Sequence, residues 1–134
     1  MDSWFWGHGH FGPYSIVWFD LISTNGTEDV SGYASRDGNI LAASCSGIVV
    51  RPTGDNSTYP PGPDTGRPGG FHITLELEGD GTLQADVIPE QVIFANTKQY
   101  TRWIGKISGS LVGSNEIFEG VALFEESNFL ATIK

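Results

Sequence analysis

Apolar and polar residues alternate along most of this chain. No window sustains the spacing of an amphipathic helix. The alternating runs predict strands near residues 4–11, 14–23, 29–36, 39–50, 71–78, 82–88, 91–96, 100–112 and 115–125. Asn25-Gly26 and Asp37-Gly38 lie between such runs and predict hairpin turns, because both dipeptides tolerate positive φ. Gly79-Asp80-Gly81 and Gly113-Ser114-Asn115 are read the same way. Short strands at even spacing point to an antiparallel barrel or sandwich. Some runs are apolar on both faces: in Ser15–Ile22 only Ser15 and Asp20 interrupt, and Phe118, Val121, Leu123 and Phe124 fall on both parities. A solvated barrel wall alternates. Such strands imply a covered outer face or an apolar cavity.

Residues 51–70 break the pattern and hold five of the seven prolines. A structureless segment of this length is read either as a lid at a mouth or as a plain surface loop.

At 134 residues the chain is read as one domain, 1–134, with enough apolar content (39%) and aromatic content (12%) for a real core. Seven basic against 16 acidic residues give a net charge of −9, which disfavours nucleic acid and anionic membrane surfaces as partners. No segment is long and apolar enough for a membrane-spanning helix, and no signal peptide is evident, so membrane insertion is not expected and the compartment is read as cytoplasmic. The one cysteine, Cys45, excludes an intrachain disulfide and is expected to pack as a small hydrophobe.

Residues 1–20 are the densest in candidate chemistry, with three of the four tryptophans and two of the three histidines. In an extended strand Trp4, Trp6, His8 and His10 share one face, a wall suited to a hydrophobic organic ligand. His8 and His10 have metal-like spacing, and a third ligand could be His72 or a carboxylate such as Asp20, yet no motif fixes one. No metal and no cofactor are expected. The histidines are read either as structural groups or as donors in a pocket. Trp4, Trp6, Trp18 and Trp103 are read either as core or as pocket wall, and Tyr14 either as a buried hydroxyl or, with Ser15, as a donor at the rim. Asp20, Glu76, Asp86, Glu119 and Glu125 are strand carboxylates. A pair sharing a cavity would have raised pKa values. No nucleophile elbow, phosphate loop or dinucleotide fingerprint is present.

The string Trp6-Gly-His-Gly-His-Phe-Gly-Pro-Tyr-Ser-Ile-Val-Trp-Phe-Asp20 resembles the start of the second, C-terminal lipocalin-like domain of a fungal family. That family includes decalin-forming Diels–Alderases and kievitone hydratase and is related to hydroxyneurosporene synthase. Tyr100–Gly105 and Phe118–Glu125 are similar to that domain's closing strands. The resemblance spans nearly the whole chain but half of the usual two-barrel protein. It implies an up-and-down, antiparallel lipocalin-like β-barrel and a pocket formed largely between two barrels. It also implies a homodimer or a second lipocalin-like domain or subunit as partner.

The resulting expectation is a cofactor-independent cyclase or isomerase of secondary metabolism, a Diels–Alderase-like pericyclase acting on a hydrophobic polyene or polyketide-derived substrate. His8, His10 and Tyr14 would be the donors. Trp4, Trp6, Trp18, Asp20, Trp103 and Glu119 would contact the substrate. The alternatives are a hydratase, with a proton donor among His8, His10, Asp20 and Glu119, and a non-enzymatic lipophile-binding barrel or partner subunit.

Overall fold

The computed structural model describes residues 1–79, 81–96 and 98–131. Nine strands follow one another: β1 (Ser3–Phe11), β2 (Tyr14–Ile22), β3 (Glu28–Arg36), β4 (Asn39–Ser44), β5 (Ile48–Thr53), β6 (Gly70–Leu77), β7 (Gly81–Asn96), β8 (Tyr100–Leu111) and β9 (Phe118–Asn128). They form one antiparallel sheet in the order β4-β3-β2-β1-β9-β8-β7-β6-β5. Strands adjacent in sequence pair throughout, except at β4 and β5. The first and last strands pair directly, so the seam of this up-and-down lipocalin-like barrel falls between β4 and β5. One backbone bond leans across it, from Glu78 N–H just beyond β6 to the Leu41 carbonyl on β4 (3.2 Å).

The turns follow from local chemistry. Asp37 and Gly38 both take positive φ (49° and 85°) in the two-residue loop between β3 and β4. Gly12 does so before Pro13, between β1 and β2. Asp80 lies outside the described residues, although Gly79 and Gly81 on either side of it both have positive φ. Two expected strands, 82–88 and 91–96, are one long strand. The register shifts after Pro89, which cannot donate to the ladder. The expected strand 39–50 is instead two, broken at Cys45–Gly47. Cys45 is exposed in that break, a correction to its expected packing.

The interior is built in tiers, because inward side chains at paired positions lie side by side. One tier joins Trp18, Gly7, Phe124 and Trp103 across β2, β1, β9 and β8. The next joins Ile16, Gly9, Ala122 and Gly105, and the one beyond it Tyr14, Phe11, Gly120 and Ile107. Glycine is required at position 7, because a Cβ there would overlap the Trp18 ring and approach Phe124. Thus the Gly-His-Gly-His motif has a packing cause: the glycines face inward to seat Trp18 and Ile107, and the histidines face outward. Aromatic rings fill these tiers, with Phe11, Trp18 and Phe124 at most 1% exposed.

The outer wall is apolar as well. Val17, Ile104 and Val121 are exposed there, and Ile88, Val92, Ile93 and Phe94 are exposed along the far half of β7. Among the described residues no helix is long and apolar enough to cross a membrane.

Candidate active site at the loop-covered end of the barrel

The next tier, one short of the row Ser3, Ile22 and Asn128 at this end, carries acids. Phe5 on β1 pairs with Asp20 on β2 and with Glu126 on β9, and Glu126 pairs with Thr101 on β8. All four side chains point inward and are buried. Two strand spacings separate Asp20 from Glu126, about 10 Å. Residues 54–69 lie over this end. Asn128 donates to the Gly62 carbonyl (3.0 Å), Asn56 donates to the Arg67 carbonyl (2.9 Å), and Arg67 Nε donates to Thr101. The segment is thus tied down over this end of the barrel rather than projecting from it.

The densest chemistry gathers at Asp20. The Tyr59 hydroxyl, from the loop, donates to both Asp20 oxygens (3.0 and 3.2 Å) and to Glu28 Oε2 (2.7 Å). Arg51 Nη1 donates to the same two carboxyl groups, at 3.3 Å for Asp20 and 2.8 Å for Glu28. One hydroxyl hydrogen cannot serve three oxygens at once, and one guanidinium cannot neutralise two carboxylates. A proton on Asp20 resolves both deficits. Burial pushes the Asp20 carboxyl up, to about 8, and its hydrogen bond with Glu28 adds to the rise. Glu28 is held down, at about 2, by its bond with Asp20 and then by Arg51. The pair is therefore one neutral acid beside one carboxylate, the arrangement of two acids that share a proton. Burial beside Glu28 pushes the Tyr59 phenol up as well, so it stays a donor. Glu126 is raised to about 7 by burial, against the attraction of Arg67.

These shifts set the pH dependence of stability. Asp20 and Glu126 keep protons in the folded state that they lose, when unfolded, near the ordinary carboxylate range. Folded pKa values above unfolded ones mean stability that is full below about pH 4 and is lost progressively as pH rises to about 7 to 8. Glu28 acts in the opposite sense, but its contribution is lost only as pH falls toward about 2. The melting temperature is expected to be higher at about pH 5 than at about pH 8.5. A melting temperature that is flat or rising across this interval would contradict the assignment.

The residues expected from the sequence do not converge. Trp4, Trp6, His8 and His10 share a face, as read, but it is the outer one. Trp4 meets Phe19 there (5.5 Å between ring centroids), Trp6 meets His8 edge-on (5.5 Å), and His10 Nδ1 bonds Ser15 Oγ (2.8 Å). A shallow groove of about 360 Å3 runs beside His8 and His10 over Val17, Ile104 and Val121. Trp18 and Trp103 point the other way, into the filled core. Tyr14 is buried with its hydroxyl accepting from Arg36 (3.2 Å). Glu119 is exposed on β9. Glu125 faces outward and accepts from Tyr100 (2.6 Å) and Arg102 (2.9 Å). Among the described residues no group of three or more His, Cys, Asp or Glu side chains is placed to hold a metal.

Only Asp20 was singled out for this site from the sequence. Glu28, Arg51, Tyr59 and Glu126 were not. A lone aromatic before Pro60-Pro61 in an otherwise polar loop was a signal for Tyr59. The Glu125-Glu126 pair in an apolar strand was one for Glu126, since alternation forces one of the two inward.

A tiered antiparallel barrel with a loop-covered, acid-bearing end is the class this chain defines. It is 35% identical over 131 residues to the quinolone epoxide rearrangement protein penF of Penicillium thymicola, covering 96% of this chain and 36% of that protein. It is also 35% identical over 132 residues to the quinolone epoxide rearrangement protein asqO of Emericella nidulans, covering 96% of this chain and 35% of that protein. The chain thus spans about a third of the length of these relatives. Among solved structures, the fold matches CghA in its complex with Sch210972 at a TM-score of 0.77 and 17% identity, over 96% of this chain and 41% of that one. It matches kievitone hydratase from Nectria haematococca at 0.53 and 15% identity, over 95% and 39%. No family model matches. The resemblance read from the Trp-Gly-His-Gly string holds: over about a third of their length the chain is similar to the quinolone epoxide rearrangement proteins, and it has the fold of CghA and kievitone hydratase.

Proposed function

We propose that this barrel is a cofactor-independent isomerase or cyclase of secondary metabolism, with the Asp20 carboxyl as its proton donor. One observation carries the reading: a buried carboxyl, shared with Glu28 and held by Tyr59 and Arg51, sits at the covered mouth of a barrel whose remaining tiers are filled. The relatives named for quinolone epoxide rearrangement support an epoxide-bearing substrate. The chemistry then follows. Asp20 gives its proton to the epoxide oxygen and the C–O bond breaks toward that oxygen. Positive charge develops on carbon beside the Glu28 carboxylate, which stabilises it. Migration of a neighbouring bond, or closure by a nucleophile within the same molecule, quenches the charge. The proton released returns to the carboxylate pair. The product is an isomer, and no electron is gained or lost. Turnover of a quinolone epoxide by the wild type and by Asp20→Asn tests this. Equal rates would refute it.

The outer wall supports a second part of the proposal, that another barrel or a second copy of this chain covers it. Exposed apolar faces of this kind mark interfaces. His8, His10, Trp4 and Trp6 would then line a pocket between two bodies, which is the role the sequence suggested for them. Trp6→Phe and His8→Ala are expected to stay folded, losing at most about 1 kcal/mol, because both side chains lie outside the core. They are expected to weaken association measured by light scattering. A loss of several kcal/mol with association unchanged would place them in the folding core instead.

A further inference from the structure

We propose that the space under the loop filled by Tyr59 is the binding site for the substrate's aromatic head, a planar ring carrying an O–H or N–H donor. Tyr59 is its resident stand-in. The inference rests on the proposed use of this mouth and adds the class of group that enters it.

Four residues grip Tyr59, and all four come from barrel strands: Phe5, Asp20, Glu28 and Arg51. Tyr59 itself comes from the loop. Each grip reads a different property of the ring. The Arg51 guanidinium lies over the ring face, 3.9 Å from its centroid, which selects a π-surface. Phe5 packs against it at 6.0 Å between centroids and 43°, and Phe71 backs Phe5 at 4.9 Å, forming an aromatic floor. Three carboxyl oxygens converge on the hydroxyl at 2.7 to 3.2 Å, which selects a donor and repels an anion. A latch alone would need only the hydrogen bond. The stacked cation and the aromatic floor make the site specific for a flat ring with a donor at one edge. A ligand of this class and Tyr59 are mutually exclusive, so entry requires the loop to release its tyrosine. Such a ring would sit with its donor on the Asp20–Glu28 pair, within reach of the proton that the reaction uses.

The test uses para-cresol, the free form of the tyrosine side chain, and its methyl ether, which keeps the shape and lacks the donor. Binding is measured by calorimetry on the wild type, Tyr59→Ala and Tyr59→Phe. Tyr59→Ala removes the competitor and is expected to bind para-cresol at least about tenfold more tightly than the wild type. Tyr59→Phe weakens the competitor and is expected to fall between them; it carries the test if Tyr59→Ala does not fold. The methyl ether is expected to bind each variant about tenfold more weakly than para-cresol. In the wild type, saturating para-cresol is expected to speed proteolysis within residues 54–69. Equal affinity across wild type and variants, or equal affinity for cresol and ether, would overturn the inference. Asp20→Asn turnover is read separately. If that variant is inactive while cresol binding ignores Tyr59, the aromatic site fails and the proton-donor reading stands. If cresol binds as expected while Asp20→Asn keeps full turnover, the reverse holds.

Discussion

Asp20→Asn is expected to lower turnover about a hundredfold or more, the usual range for removing a positioned general acid, while the barrel becomes more stable at mildly alkaline pH. Asparagine keeps the size of the side chain and can still meet Tyr59 and Arg51. It cannot release a proton, so protonation of the leaving oxygen loses its source. Its effect on stability has the opposite sign. Above about pH 8 the native Asp20 is ionised in a buried site beside the Glu28 carboxylate, and a neutral amide removes that repulsion. Part of the fall in melting temperature between about pH 5 and pH 8.5 is therefore expected to vanish in the variant, leaving the part due to Glu126. Rates and thermal melts on the same samples check both effects. A variant that loses activity and stability together at every pH would mark Asp20 as structural.

The second large effect is expected at Gly7. Gly7→Ala adds one methyl group facing the barrel axis, where it overlaps the Trp18 ring and crowds Phe124. Neither neighbour can yield, because Trp18 and Phe124 are themselves enclosed. Overpacking at such a position costs about 3 kcal/mol, which lowers the melting temperature by about 10 °C in a domain of this size. Trp18→Leu alone leaves a cavity and costs a similar amount, about 3 kcal/mol. Combined, the two changes compensate, since the smaller leucine vacates the volume that the new methyl group takes. The double variant is expected to be more stable than the sum of the single losses by at least about 1 kcal/mol. Strict additivity in denaturant melts would show that the two side chains do not meet.

Much of the fold was legible because hairpin chemistry is local. Asn25-Gly26 and Asp37-Gly38 mark turns by their own backbone preferences, and most alternating runs between such marks became strands. Two boundaries were not legible. The break at Cys45–Gly47 is marked only by Ser46-Gly47, a weaker signal than Asn-Gly or Asp-Gly although Gly47 takes positive φ, and at Pro89 a register shift let one strand run through a proline. The facing of β1 was the harder question, since Trp4 and Trp6 compete with Phe5 and Phe11 for the inside. The glycines decide it: Gly7 and Gly9 lie on the inward parity because rings from other strands need their space. The site was less legible than the fold. Asp20 stood out as a lone carboxylate in an apolar strand. Glu28 is close by, on the neighbouring strand of the same hairpin, but Arg51 on another strand and Tyr59 in the loop lie far along the chain, and only three-dimensional closure brings them to it.

The proton on Asp20 is the central claim, and carbon-13 NMR of the aspartate and glutamate side-chain carboxyls, assigned with Asp20→Asn and Glu28→Gln, measures it most directly. The expected result is an Asp20 carboxyl that stays protonated through neutral pH and titrates near 8, while Glu28 remains ionised down to about 2. An Asp20 carboxyl already ionised at about pH 5, within the ordinary range for aspartate, would contradict it.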